Sequence, residues 1–188
     1  MPPKVKTSRD DIITAALELI RKEGEQGLNA RAIATALGCS TQPIYFNFDS
    51  MDTLKGEVRK QAEGIYEAFV QKETEKGKYS DYEAKQIAYI RFANKEKHLF
   101  KLLFLCDHDS PEESAEALAE NARVIREETG ISPTDAFYFH LEMQSCVHGI
   151  ATMLATNQLS WDGKIVSKLL SDVQQGLLTK YGDGEGIQ

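Results

Sequence analysis

Helix-start signals punctuate this chain from end to end and leave little room for strands. Ser8 stands three residues before Asp11, and Ser80-Asp81-Tyr82-Glu83 repeats the pattern. In such a capping box a hydroxyl and a carboxylate each satisfy a backbone N–H of the first helical turn. Ser110-Pro111-Glu112-Glu113 and Ser132-Pro133-Thr134-Asp135 add proline at the first helical position, where the missing N–H does no harm. The runs between caps carry apolar residues at helical spacing, beginning with Ile13, Ala16, Leu17 and Ile20 before Gly24 and Gly27 end the first helix. Helices are expected over 30–37 and over 41–46, the latter with Ser40 as N-cap and Pro43 in its first turn. A fourth starts after Asp49-Ser50 and continues past Leu54, Val58, Ile65 and Phe69, and a last one starts at Ser160 and ends near Tyr181-Gly182. The segment HLFKLLFLC over 98–106 is apolar almost all round. That suits a helix in the middle of a domain, with a buried strand as the competing reading. The expected fold is all-α, with about nine helices.

A hydrophobic share of 41% and a charged share of 27% are ordinary for a globular chain and argue against wholesale disorder. The formal net charge is -7, which disfavours a polyanion as partner unless the charge is segregated. It is segregated. The first 48 residues hold six basic and five acidic side chains, a net +1, so the remainder carries -8. Nucleic-acid binding is thereby permitted at the N-terminal end. Cys39, Cys106 and Cys146 are odd in number and widely spaced, which implies no disulfide framework and suits a reducing cytoplasm. The first residues lack the apolar stretch of a signal peptide, and no run of about 18 apolar residues offers a membrane span.

Residues 28–48 read LNARAIATALGCSTQPIYFNF: two short helical patterns flank a glycine-containing turn, the shape of a helix-turn-helix. In the second helix Ile44 and Phe48 are four apart and form the inward face. Thr41 with Tyr45, and Gln42 with Phe46, share other faces and are free to point outward. Such a helix fits the major groove. Gln42 can pair with adenine through two hydrogen bonds, Thr41 can touch a thymine methyl, and Tyr45 suits a phosphate.

From Ser8 to about Arg59 the chain resembles the DNA-binding domain of the TetR family. The resemblance rests on the Ala-Ala-Leu-Glu-Leu-Ile run, Gly24 and Gly27-Leu28, and on Ile33-Ala34 with Leu37-Gly38-Cys39-Ser40. It continues through Ile44-Tyr45-Phe46-Asn47-Phe48 and Leu54. It implies a helix-turn-helix domain over 6–66 and a helical ligand-binding and dimerisation domain over 67–182. By that resemblance Arg31 matches a position that often contacts DNA and Tyr45 a phosphate-contacting tyrosine; with Ser40, Thr41, Gln42, Phe46 and Asn47 they make up the expected DNA-contacting set. Lys4, Lys6 and Arg9 would form a loose N-terminal arm. Two positions depart from the family pattern. Asn47 replaces a frequent histidine, and Met51-Asp52 replaces a frequent Lys-Glu, which removes a phosphate contact or moves it to Lys55. The runs Tyr89-Ile90-Arg91-Phe92-Ala93, Leu99-Phe100-Lys101-Leu102-Leu103-Phe104 and Val147-His148-Gly149-Ile150-Ala151 resemble the family's regulatory domain.

By the same resemblance the protein is expected to be a cytoplasmic repressor. It would bind a palindromic double-stranded operator as a homodimer and be released by a small hydrophobic or amphipathic effector. Tyr89, Phe92, Phe100, Phe104, Phe137 and Met143 are candidate pocket residues, although an aromatic stripe at helical spacing equally suits plain core. Gly149, Ile165, Leu169, Val173 and Leu177 are candidate dimer contacts on the last two helices. His140 and His148 lie two helical turns apart, about 12 Å by the rise per residue, too far to share one metal ion. Cys106-Asp107-His108 is a second cluster of ligand types, but no metal or cofactor is expected. Cys39 reads as a packed small residue, with redox sensing as the alternative. No catalytic constellation stands out, so no enzyme is expected. A DNA-bound protein adaptor without effector, and a helical enzyme or carrier with a vestigial motif, are the competing functions.

Overall fold

The computed structural model describes residues 7–105 and 115–182. Among these the fold is all-α, with nine α-helices and no strand. They are α1 (Arg9–Glu23), α2 (Ala30–Leu37), α3 (Gln42–Asn47), α4 (Met51–Thr74), α5 (Asp81–Lys95), α6 (Lys97–Phe104), α7 (Ala115–Thr129), α8 (Pro133–Ala155) and α9 (Gly163–Gly182). The chain divides into two compact units. The first holds residues 1–68 and 96–106, the second residues 69–95 and 107–188, so the division falls inside α4. The segment 96–106, which lies beyond the 66/67 boundary expected from the sequence, clusters with the first unit. Among the described residues no helix is long and apolar enough to cross a membrane.

The first unit is organised around α1. Its capping box forms as expected: the Asp11 N–H donates to Ser8 Oγ at 3.1 Å, and the Ser8 N–H donates to the Asp11 carboxylate at 2.9 Å. These bonds hold the Asp11 carboxyl below the usual carboxylate range. Ile12, Ile13, Ala16, Leu17 and Ile20 are all buried. They meet Ile33 and Ala34 of α2, Ile44 of α3, Leu54, Val58 and Ala62 of α4, and Leu99 and Phe100 of α6 in one apolar core. The segment 98–106 is therefore a core helix, not a strand, as far as Phe104, with Leu105 as its C-cap; Cys106 lies outside the described residues.

Polar contacts then fix what the core brings together. The Arg21 guanidinium makes a two-pronged pair with Glu96, both bonds 3.0 Å. His98 donates from Nδ1 to the carbonyl of Ile20 at 3.1 Å, at the end of α1. Gly24 takes a φ of +79°, and a Cβ there would stand 3.1 Å from the His98 ring. Arg59 donates to the carbonyls of Leu102 and Leu103 at 3.1 and 3.2 Å, partnering backbone groups that the end of α6 leaves unpaired. Arg9 is not part of a loose arm. It opens α1, stacks 4.3 Å over the Phe48 ring, donates to the carbonyl of Asn47 at 2.9 Å and lies 3.5 Å from the Glu57 carboxylate.

The second unit is held by polar pairs set in an apolar core. Tyr82 bonds His140 at 3.0 Å and Tyr89 bonds His148 at 2.8 Å. Both numbers rise together, so α5 and α8 run parallel. Asn121 of α7 reaches the other ring nitrogen of His140 at 3.4 Å. Both histidines thus have side-chain partners within the fold, while His108 lies outside the described residues. Ala84, Ala88, Ala136 and Ala151 have no exposed surface and let the helices approach closely. Two expected caps differ. Asp162 starts α9, its carboxylate accepting from the N–H groups of Lys164 and Ile165 at 2.8 and 3.2 Å, because Ser160 lies too far from the first turn. The Ser110 box falls outside the described residues, whereas the Ser80 and Ser132 caps form.

Glu73, at the end of α4, is buried and accepts from Lys76 at 2.6 Å and from Arg91 of α5. Burial pushes its carboxyl up, but the bonds and charges of Lys76 and Arg91 outweigh this and the net shift is downward. A carboxylate so held adds stability above the ordinary carboxylate pKa and loses it as pH falls through the lowered value.

Arg91→Leu removes one of the two cations paired with Glu73, leaving Lys76, and should lower stability at neutral pH by about 1–2 kcal/mol. Glu73→Gln should flatten the acid limb of the stability profile; urea unfolding from pH 7 down to the acid limb measures both. Arg9→Ala should cost about 1–2 kcal/mol through the lost ring contact and carbonyl bond. Arg9→Lys should recover only part of it, since an ammonium cannot serve the ring, the carbonyl and Glu57 with one planar group. Thermal denaturation of the three proteins reads the difference.

Candidate nucleic-acid interface

The helix-turn-helix is built from local chemistry. Asn29 caps α2 by accepting the Ala32 N–H at 2.9 Å. Gly38 ends it in the left-handed region at φ +63°, its N–H reaching back to Ala34 and Thr35. A Cβ at Gly38 would meet nothing within 4 Å, so conformation and not space calls for glycine there. α3 follows with Thr41, not Ser40, at the N-cap. Thr41 has helical dihedrals, and its side chain makes no capping bond. Pro43 sits in the first turn as expected.

α3 has six residues and two faces. Ile44 and Phe48 are buried in the first unit's core. Gln42, Tyr45 and Phe46 face solvent, Tyr45 at 58% and Phe46 at 81% exposure. Ser40 and Arg31 are also exposed, and Thr41 is half-buried. No described residue pairs with the Arg31 guanidinium. A phenylalanine so exposed beside a tyrosine, on a helix whose other face is fully buried, marks a surface awaiting cover.

Two other candidates have partners within the fold. The Asn47 side-chain amide donates to the carbonyl of Pro43 at 2.7 Å, closing the last turn of α3. Lys55 stands 3.6 Å from the Glu25 carboxylate and ties α4 to the turn after α1. Lys4 and Lys6 lie outside the described residues. Asp49 and Asp52 are exposed between α3 and α4 and bring negative charge close to this surface. The role of Arg9 escapes sequence reasoning, because its partners lie 38 and 48 positions away and no local spacing announces them.

The six pocket candidates are spread out. Phe100 and Phe104 belong to the first unit, their rings 5.2 Å apart. Tyr66 meets Phe104 edge-on at 5.2 Å, and burial raises its hydroxyl pKa to about 12. Tyr89, Phe92 and Met143 lie in the core of the second unit, whereas Phe137 is exposed on α8, edge-on to Tyr138.

Of the dimer candidates, Ile165 and Leu169 are exposed at 51% and 41%, Gly149 is open to solvent, and Val173 is half-buried. Leu177 turns inward, with 8% exposure. On α8 the exposed Tyr138, Leu141 and Met153 continue a stripe through Ser145 and Gly149 at three- and four-residue steps. Polar neighbours in that run hide the stripe from a reading of the sequence.

Residues 12–58 match the family model described as bacterial regulatory proteins of the tetR family, and residues 84–171 match that of the tetracyclin repressor-like C-terminal domain. No curated protein matches the sequence. Several solved structures share the fold. A TetR-family transcriptional regulator from Vibrio parahaemolyticus is 20% identical over 89% of this chain and 97% of its own, with a TM-score of 0.62. A TetR-like regulator from Rhodococcus sp. RHA1 is 15% identical over 98% and 100%, with a TM-score of 0.66. The multidrug binding protein EbrR, complexed with imidazole, is 16% identical over 88% of each chain, with a TM-score of 0.57. The two matched segments place one family's DNA-binding domain and its C-terminal domain in sequence order on a single chain: the protein belongs to the TetR family of transcriptional regulators, which bind DNA and are not enzymes.

Proposed function

We propose that the protein is a ligand-responsive repressor that acts in the cytoplasm as a homodimer on a palindromic operator. One observation carries the DNA reading: α3 buries Ile44 and Phe48 and presents Gln42, Tyr45 and Phe46 together to solvent. Early residues of such a helix reach base edges in the major groove, and the amide of Gln42 matches the donor–acceptor pair of adenine. Tyr45 provides a hydroxyl for a phosphate oxygen, Phe46 an apolar face for a thymine methyl, and Arg31 a cation for the backbone. Ser40 and Thr41 add hydroxyl contacts, and Lys4 and Lys6 reach the duplex from the N-terminus. Asn47 and Lys55 act chiefly by holding α3 and α4 in place.

One copy of so small a motif offers few contacts. The exposed stripes of α8 and α9 supply a way to join two. Ile165 and Leu169, with Gly149 and half-buried Val173, pair with their counterparts about a two-fold axis, and Tyr138, Leu141 and Met153 extend the contact. Two α3 helices about 34–36 Å apart then read successive major grooves.

Release follows from an effector with unequal affinity for two conformers, since only that difference can shift the equilibrium. The chain path supports such coupling. α6 is fastened in the first unit by Glu96, His98 and Arg59, yet Glu96 follows directly on Lys95, the last residue of α5 in the second. α4 is one continuous helix across the same division. The apolar core around Tyr89, Phe92 and Met143 favours a hydrophobic or amphipathic effector. The EbrR likeness supports a family capacity for small ligands.

Gln42→Ala should cost about 1–3 kcal/mol on a DNA sequence selected from a random pool and relax preference at one base pair of each half-site. Tyr45→Phe should weaken all sequences alike; fluorescence anisotropy on selected and scrambled duplexes separates the two effects. The double substitution Ile165→Glu with Leu169→Glu should yield a folded monomer by sedimentation and abolish operator binding at protein concentrations where the parent binds. A monomeric parent, or no sequence preference at low salt, refutes the reading.

A further inference from the structure

In the second unit a cleft of about 240 Å³ runs between α5 and α9. Its walls are rich in hydrogen-bonding groups: Glu83 and Gln86 from α5, Ser167, Ser171 and Gln174 from α9, and Tyr79 just before α5. Gln86 is the informative residue. It is only 7% exposed, and its amide nitrogen has no hydrogen-bond partner. A buried donor left unpaired costs about 1–3 kcal/mol. Glu73 Oε2 and Thr152 Oγ1 are also buried without a partner, but of the three residues only Gln86 lines this cleft.

The chemistry of the walls narrows the ligand. Serine hydroxyls and glutamine amides both donate and accept, and none carries charge. The one charged lining group is Glu83, which already accepts from the Ser80 N–H at 3.3 Å. No lysine or arginine lines this cleft, so an anion finds no counter-charge. A smaller adjoining cleft shares Tyr79 and Ser167 and adds Arg91, whose guanidinium is already paired with Glu73, and the ring of Trp161, so aromatic faces border the polar walls. The volume lies below the roughly 300–1,000 Å³ typical of drug-sized ligands. A compact neutral molecule with many hydroxyls and an apolar C–H face satisfies all of these conditions.

The cleft also stays clear of the proposed dimer face. At 3.6 residues per turn, Ser167, Ser171 and Gln174 lie on the flank of α9 roughly opposite Ile165 and Leu169. Covering one flank leaves the other open.

We propose that the α5–α9 cleft binds a neutral polyhydroxylated compound of about one sugar ring, a monosaccharide or cyclic polyol, with one ligand oxygen accepting from Gln86 Nε2. The assignment does not depend on the DNA reading, and its test needs no DNA. Titration calorimetry on the full chain would use glucose, galactose, mannose and myo-inositol as probes, with glucose 6-phosphate as an anionic arm and spermidine as a cationic arm.

At least one neutral probe should bind saturably at millimolar concentration or below. Gln86→Leu should weaken it about tenfold, the loss of one buried hydrogen bond. The same variant, unliganded, should unfold at higher urea than the parent, because its unpaired donor is gone. Ser171→Phe, which fills the cleft from the α9 side, should abolish binding with the helical circular dichroism unchanged. The proposal fails if no neutral probe binds, if only the phosphorylated or cationic arm binds, or if both variants keep the parent's affinity. Operator binding, measured separately, decides the other reading whichever way this one falls.

Discussion

A six-residue helix has no stability of its own in water, because nucleation fixes several residues before the first hydrogen bonds repay it. Everything the first unit offers to DNA therefore depends on how α3 is held. Ile44 and Phe48 do most of this by burial, and together they fix which residues remain outside. Had the inward pair been one position earlier, Gln42 and Tyr45 would turn about 100° away from the exposed face. Arg9 completes the grip from above. It covers the Phe48 ring and takes the last carbonyl of α3, so that the end of the short helix is bonded to the start of the long first one. Asn47 closes the same turn from within. The exposed aromatic pair is thus presented by a surface with little freedom to yield, which suits a contact whose specificity rests on position.

Much of this was legible in the sequence, because the chemistry involved is local. Caps at Ser8, Ser80 and Ser132 act over three residues, and the inward face of α3 follows from a four-residue step. The turn at Gly38 is signalled by its glycine. Where a cap could fall on either of two neighbours the sequence is ambiguous. Ser160 and Asp162 are both good cap formers, and the observed start at Gly163 selects the aspartate. Ser40 and Thr41 pose the same problem, and α3 resolves it with neither side chain bonded.

The long-range contacts were not legible. Nothing near Arg21 points to Glu96, nothing near Tyr82 points to His140, and the assignment of α6 to the first unit follows from packing alone. The histidines show why composition misleads here. By residue type they suggest metal ligands; in place, His98, His140 and His148 are each a hydrogen-bond partner for a tyrosine hydroxyl or a backbone carbonyl. A buried imidazole with two partners sets helix register, since sliding α5 along α8 by one turn would break both tyrosine–histidine bonds. Among the described residues three buried polar atoms have no hydrogen-bond partner, Glu73 Oε2, Thr152 Oγ1 and the amide nitrogen of Gln86.

The order of the chain through the two units sets how they are joined. The backbone crosses the division within α4, again between Lys95 and Glu96, and a third time after Cys106. Three covalent crossings couple the units whatever surfaces they share. At the second crossing no loop intervenes to absorb movement. α5 ends at Lys95, and Glu96 is already clamped by the Arg21 guanidinium. α1 also bears Arg9 at its other end, bonded to the carbonyl of Asn47, so one continuous helix joins the Glu96 clamp to the end of α3. Within the first unit that link needs no extended network of side chains. It needs one stiff helix and two arginines whose partners sit at opposite ends of it.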